Sequence, residues 1–155
     1  MPQQTQTPYT LKNNKKFRLQ SNYKNKKYKK MDNKKKLGIW MDHSSANLID
    51  VHSGEKKSSI KSRFSFNVKE EALQKGEKRM HNKEQQLHEA FYKEIGAEIL
   101  KYDHVLLFGP TNAKSELYNY LNKDLHFKEI QFDIESADKM TDPEKEAFVK
   151  KHFNE

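Results

Sequence analysis

Tyr102-Asp103-His104-Val105-Leu106-Leu107-Phe108-Gly109-Pro110-Thr111-Asn112-Ala113-Lys114 is the stretch that decides the fold. Val105 to Phe108 are apolar in succession, which suits a strand covered on both faces, as in a parallel sheet. Pro110 has no N–H for a ladder and ends the strand. Thr111 or Asn112 can then accept hydrogen bonds from the free N–H groups that open a helix. A buried strand, a tight turn and a helix form part of a crossover unit, and in open α/β sheets ligands and partners gather at such carboxyl-end loops.

Upstream, Leu87, Phe91, Ile95 and Ile99 recur every four residues with Ala90 beside them, the stripe of a helix lying on a sheet. Before it, Lys69 to Gln86 is polar, with Gly76 near its middle, and reads as a loop entering that helix. Leu37 to Asp42 is a first strand. His43-Ser44-Ser45 turns into Ala46 to Val51, a second, and Ser53-Gly54 turns again. Ile60, Ser62, Phe64, Phe66 and Val68 alternate as a third strand ending at Val68, completing an antiparallel meander. Downstream, Leu117 and Leu121, with Ala113 and Tyr120, give a second helix. Phe127 to Ile134 alternates as a fifth strand through Ile130, Phe132 and Ile134. Thr141 and Glu144 have capping-box spacing around Pro143, so a last helix starts there with Phe148, His152 and Phe153 on its inner face. The order βββαβαβα predicts an α/β domain over 37–155: a ribonuclease H-like, five-stranded mixed sheet with helices on its faces.

The charge lies elsewhere. Residues 1–36 carry twelve bases (Lys12, Lys15, Lys16, Arg18, Lys24, Lys26, Lys27, Lys29, Lys30, Lys34, Lys35 and Lys36) against the single acid Asp32. The other 119 residues hold 18 bases and 21 acids, so the formal net charge of +8 divides into +11 for the leader and −3 for the body. A Lys/Asn/Gln-rich leader buries too little apolar area to offset its ordering entropy, so residues 1–36 are predicted to be a disordered basic tail. Tyr9, Phe17, Tyr23 and Tyr28 interleave with the bases. Lysines release counterions from phosphates and aromatic rings stack on unpaired bases, which together point to RNA. A merely solubilising tail is the competing reading. Met31-Asp32-Asn33-Lys34 runs straight into the first strand and offers an internal start at Met31.

The chain has no cysteine, which excludes disulfides and thiolate metal sites. It has no apolar run long enough to span a membrane and no secretory signal pattern, so a cytoplasmic protein without a membrane partner is expected. A ribonuclease H-type nuclease holds two metals with carboxylates on its first strand, first helix and fourth strand. Asp42, with Glu84 or Glu89, supplies two, but Leu107-Phe108-Gly109 ends the fourth strand without an acid, and Asp103 sits at its wrong end. Asp42 reads instead as an Asx turn before Ser44-Ser45. Gly109 to Ser115 lacks the second glycine and the length of a P-loop. The seven histidines show no i, i+4 metal pair, and no serine elbow is present. No catalytic residue, metal ligand or cofactor is expected.

Gly38-Ile39-Trp40-Met41-Asp42-His43 with Ala46 and Ile49, then His88-Glu89-Ala90-Phe91-Tyr92, then Leu106 to Leu117 together resemble the central domain of the archaeo-eukaryotic peptide-chain release factor and Pelota family, and its short bacterial translation-machinery-like relatives. The resemblance covers about residues 37–153 and implies association with the ribosome. Release factors carry Gly-Gly-Gln between the third strand and the long helix. The corresponding region here, Lys69 to Gln86, holds only Gln74-Lys75-Gly76, so peptidyl-tRNA hydrolysis is not carried over. The resemblance implies a non-catalytic, RNA-binding accessory factor of the rescue, stress or hibernation type. Lys75, Lys78, Arg79, Lys83 and the turn residue Lys114 are its candidate phosphate contacts in the body, with ribosomal RNA as partner. Lys56, Lys57, Lys61 and Arg63 form a second basic group that also suits protection of a strand edge. Two alternatives stand beside this reading. One is a protein-interaction module using Tyr92, Tyr118 and Tyr120 as exposed aromatics. The other is a metal-dependent nuclease using Asp42.

Overall fold

The computed structural model describes residues 33–53, 56–63, 70–71 and 74–154. Within them the elements run β1 (Lys36–Met41), β2 (Ser45–Asp50), β3 (Lys56–Lys61), α1 (Glu77–Ile99), β4 (His104–Gly109), α2 (Ala113–Leu121), a 3-10 turn (Leu125–Phe127), β5 (Gln131–Ser136) and α3 (Asp142–Phe153). The strands form one sheet in the order β3-β2-β1-β4-β5. β1 pairs antiparallel with β2 and β2 with β3, while β4 lies parallel to both β1 and β5. This is the mixed five-stranded sheet that the sequence predicts.

The unbroken apolar run of β4 has its cause in this position. Val105 and Leu107 lie on one face with Leu37, Ile39, Met41 and Leu48, beneath Phe91, Ile95 and Ile99 of α1 and Leu117 and Leu121 of α2. Leu106 and Phe108 lie on the other with Trp40, Ile49 and Val51, beneath Val149 and Phe153 of α3. All four β4 side chains are fully buried, each worth about 1.5–3 kcal/mol of apolar transfer. Gly38 lets α3 rest on β1: a Cβ there would stand 2.2 Å from Val149 Cγ2. Gly109 closes β4 at φ +152, where a Cβ would meet the Met41 carbonyl oxygen at 2.1 Å. Backbone cannot yield as a side chain does, so only glycine fits this strand exit.

Four expectations are corrected. The third strand ends at Lys61 rather than Val68; Phe64, Phe66 and Val68 lie outside the described residues. α1 begins at Glu77, ten residues before its apolar stripe, so the polar stretch expected as loop is helical from there. Phe127 closes a 3-10 turn and is buried, and the fifth strand starts only at Gln131. Lys34 to Lys36, assigned to the leader, belong to the body. Lys36 starts β1, the Lys35 carbonyl accepts from the Asp103 and His104 N–H groups, and the Lys35 N–H donates to Asp103 Oδ2 at 2.9 Å. The last helix opens as expected: Thr141 Oγ1 accepts from the Glu144 N–H and Glu144 Oε2 accepts from the Thr141 N–H. Its buried face is Lys145, Val149 and Phe153, with Phe148 and His152 at the margins. Lys145 is buried because its ammonium caps the Trp40 ring, 4.1 Å from the centroid.

Candidate functional site

Because β1 and β4 are parallel, the turns after Met41 and Gly109 leave the sheet at the same end, and α2 starts there. Asp42 shapes the first turn. Its Oδ1 accepts from the Ser44 N–H at 2.8 Å, the Ser44 hydroxyl at 2.7 Å and the Ser45 N–H at 2.8 Å, an Asx turn as the sequence implies. Burial pushes the Asp42 carboxyl up, but the hydrogen bonds from Ser44 and Ser45 outweigh it and leave the pKa below the ordinary value.

The next residue, His43, reaches the first turn of α2, with Nε2 3.2 Å from Glu116 Oε2. The same oxygen accepts from the Tyr92 hydroxyl of α1 at 2.7 Å. His88, one turn before Tyr92, stacks on the Tyr92 ring and meets the His43 ring edge-on at 5.9 Å. Burial raises Glu116, yet the Tyr92 and His43 hydrogen bonds and the charges of His43 and His88 lower it overall. Tyr92 is pushed upward by burial and by Glu116, so its phenol stays a donor. The carboxylate is thus held ionised with both donors on one oxygen, an arrangement that fixes α1 to α2. Beside it runs a shallow groove of about 540 Å³ between the two helices, lined by His81, Gln85, His88, Glu116, Tyr120 and Lys123. Sequence periodicity gave no sign of this cluster; Glu116, an acid in the turn after a buried strand, was the available hint.

The candidate phosphate contacts divide. Lys75, Lys78, Arg79 and Lys83 are exposed at and just inside the start of α1. Arg79 and Lys83 share a stripe four residues apart. Residues 77–90 of α1 include no buried side chain, whereas Phe91, Tyr92, Ile95, Gly96 and Ile99 are all buried. Lys114, by contrast, is only 6% exposed, and its ammonium donates to the Thr111 carbonyl at 2.5 Å. It staples its own turn rather than facing outward. Lys34 and Lys35 are exposed just before β1, the central strand, and Lys36 is half-buried beside the Phe153 ring. The remaining leader cations, Lys12 through Lys30, lie outside the described residues. Lys61 and Arg63 are exposed at the end of β3, an edge strand where lysine discourages further pairing. Of the aromatics expected on the surface, Tyr92 is buried, while Tyr118, edge-on to Phe132 at 5.6 Å, and Tyr120, 6.0 Å from Tyr92, are partly exposed.

A second histidine cluster, also unforeseen, lies on the α3 face. His104 opens β4, Asp133 and Glu135 share one side of β5, and His152 ends α3. Asp133 Oδ2 receives His104 Nε2 at 2.5 Å and His152 Nε2 at 2.9 Å, and His152 Nδ1 lies 2.7 Å from Glu135 Oε1. Burial raises the Asp133 carboxyl, but hydrogen bonds from His152 and His104 bring it below its ordinary value. These residues are separated by 29 and 19 positions in sequence, so no local spacing could have announced them.

No protein-family model matches the chain, and no curated protein matches it. Among solved structures, the chain is similar to Pelota from Archaeoglobus fulgidus, a protein described as showing inter-domain structural plasticity. The TM-score is 0.51 over 77% of this chain, at 9% sequence identity. The match covers 31% of the Pelota chain, so this chain spans about a third of that protein's length. The likeness shows a Pelota-like fold.

Proposed function

We propose that this chain is a non-catalytic, cytoplasmic RNA-binding factor that associates with the ribosome, related in role as well as in fold to the Pelota family. The observation that carries this reading is α1. Its second half is buried against the sheet, while its first half extends over 14 residues without a buried side chain and carries Lys78, Arg79 and Lys83. At 1.5 Å per residue this half is about 21 Å long. A helical segment this long with so little apolar burial either bridges solvent or meets a partner, and Lys78, Arg79 and Lys83, three cations within six residues interspersed with Glu77 and Glu84, offer contacts to a phosphate backbone. Residues 1–32, with nine bases against the single acid Asp32, supply non-specific affinity for the same polyanion. The carboxylates best placed for chemistry are committed: Asp42 to its turn, and Glu116 to Tyr92 and His43.

Co-sedimentation with purified ribosomes tests the proposal. The full chain is expected in the ribosome pellet at low salt and is expected to leave it steeply as salt rises. Removal of residues 1–32, which leaves β1 intact, is expected to weaken binding and flatten the salt dependence. A chain that stays in the supernatant at every salt concentration overturns the proposal, as does Mg²⁺-dependent cleavage of RNA lost in Asp42→Asn. The interaction-module reading keeps Tyr118 and Tyr120 as partly exposed aromatics but loses Tyr92, which is buried.

A further inference from the structure

We propose that His104, Asp133 and His152 form a binding site for Zn²⁺, oriented by Glu135. A neutral imidazole has one N–H and one lone pair. Both nitrogens of His152 face carboxylate oxygens: Nε2 faces Asp133 at 2.9 Å and Nδ1 faces Glu135 at 2.7 Å. The ring satisfies both carboxylates only if it carries both protons or if a cation stands between one nitrogen and its carboxylate. His104 Nε2 converges on the same Asp133 oxygen. A divalent ion among the two Nε2 atoms and the carboxylate resolves the arrangement. His152 then donates Nδ1–H to Glu135, the carboxylate–histidine–metal relay by which metal-bound imidazoles are oriented.

The donor set suits this ion. Two imidazoles and one carboxylate, without thiolate, match a borderline first-row cation, and three protein ligands leave a fourth position to water. The three ligand atoms lie within 4.8 Å of one another, against the roughly 3.3 Å set by tetrahedral bonds of about 2.0 Å to zinc. The two histidine–Asp133 separations, 2.5 and 2.9 Å, widen by under about 1 Å to admit the ion, while the two imidazole nitrogens draw together by at most about 1.5 Å. Rigid support is present: the Phe153 ring meets His104 edge-on at 4.9 Å and His152 at 5.0 Å. The histidine side chains are 15% and 20% exposed, so they are held by packing and open to an ion from solvent. Occupied, the site ties the start of β4, the edge strand β5 and the last turn of α3 into one clamp.

Calorimetric titration of the full chain with ZnCl2 near neutral pH tests the inference, with Co²⁺ as a spectroscopic substitute. One equivalent of Zn²⁺ is expected to bind saturably, and Co²⁺ to show the visible absorption of a tetrahedral site. His152→Asn is expected to abolish both signals. Glu135→Gln, which removes no ligand, is expected to weaken binding about ten-fold. His81→Asn and His126→Asn, at exposed histidines elsewhere, are expected to change nothing. Far-UV circular dichroism confirms that each variant is folded. Absence of saturable binding, binding unchanged in both His152→Asn and Glu135→Gln, or loss of binding in His81→Asn or His126→Asn would overturn the site.

Discussion

The two halves of α1 belong to one helix and obey different physics. From Phe91 to Ile99 the helix is held by burial: Ile95 and Ile99 are fully covered and Gly96 lets Leu121 and Phe127 approach. From Glu77 to Ala90 it has no buried residue, and its ties to the body pass through His88 and the His43–Glu116–Tyr92 cluster. Apolar burial explains the packed half, Phe91 to Ile99, and says nothing about why the unpacked half is there. A helix of 23 residues whose stability comes mainly from its packed face has a length that packing alone does not require.

The largest expected effect lies in the packed half. Ile95→Ala removes a fully buried side chain facing the sheet and is expected to cost about 2–5 kcal/mol, read as a lower urea midpoint. A cost under about 1 kcal/mol would show that this half is not the anchor.

The turn beneath the cluster comes next. Asp42→Ala strips three donors of their acceptor and is expected to cost about 1–2 kcal/mol. The pH dependence has a definite sign. Asp42, Glu116 and Asp133 have folded pKa values below their unfolded ones. Their contributions are complete above the ordinary carboxylate range near pH 4 and are lost as pH falls through the lower, folded values. The thermal midpoint should therefore fall as pH drops below about 4, with a shallower fall in Asp42→Asn.

A smaller effect separates the halves directly. Gln86→Gly, at an exposed position of the unpacked half, is expected to cost about 0.5–1 kcal/mol locally. Hydrogen exchange at residues 77–86 should quicken by about two- to five-fold, while amides near Ile95 to Ile99 keep their protection. Equal quickening along the whole helix would show that the two halves open together. The smallest effect on stability belongs to the cations: Lys78→Glu, Arg79→Glu and Lys83→Glu together should leave the unfolding free energy from urea titration within about 0.5 kcal/mol of the parent, whatever they do to binding.

The same contrast explains what could be read from the chain. The packed half is legible because Phe91, Ile95 and Ile99 repeat at the helical period, with Leu87 one turn earlier at its margin, and β4 because burial on both faces demands four apolar residues in succession. The unpacked half reads as loop in the sequence because a helix without a buried face has no apolar period to detect. Phe127 was drawn into a strand because one buried aromatic in a 3-10 turn looks like the start of an alternation. Lys114 looked like a surface cation because a sequence cannot show that an ammonium folds back onto the Thr111 carbonyl. The His104–Asp133–His152 cluster is assembled by parallel pairing of β4 and β5 and by the docking of α3; it exists only in three dimensions.

The most direct test is the salt dependence of ribosome binding for residues 33–155, compared with the same body carrying Lys78→Glu, Arg79→Glu and Lys83→Glu. If the unpacked half of α1 touches phosphates, the parent body binds, and the triple variant binds at least about ten-fold more weakly with a shallower slope of log K against log salt. Identical affinity and slope for the two proteins, with both folded, would contradict the role assigned to this half of the helix.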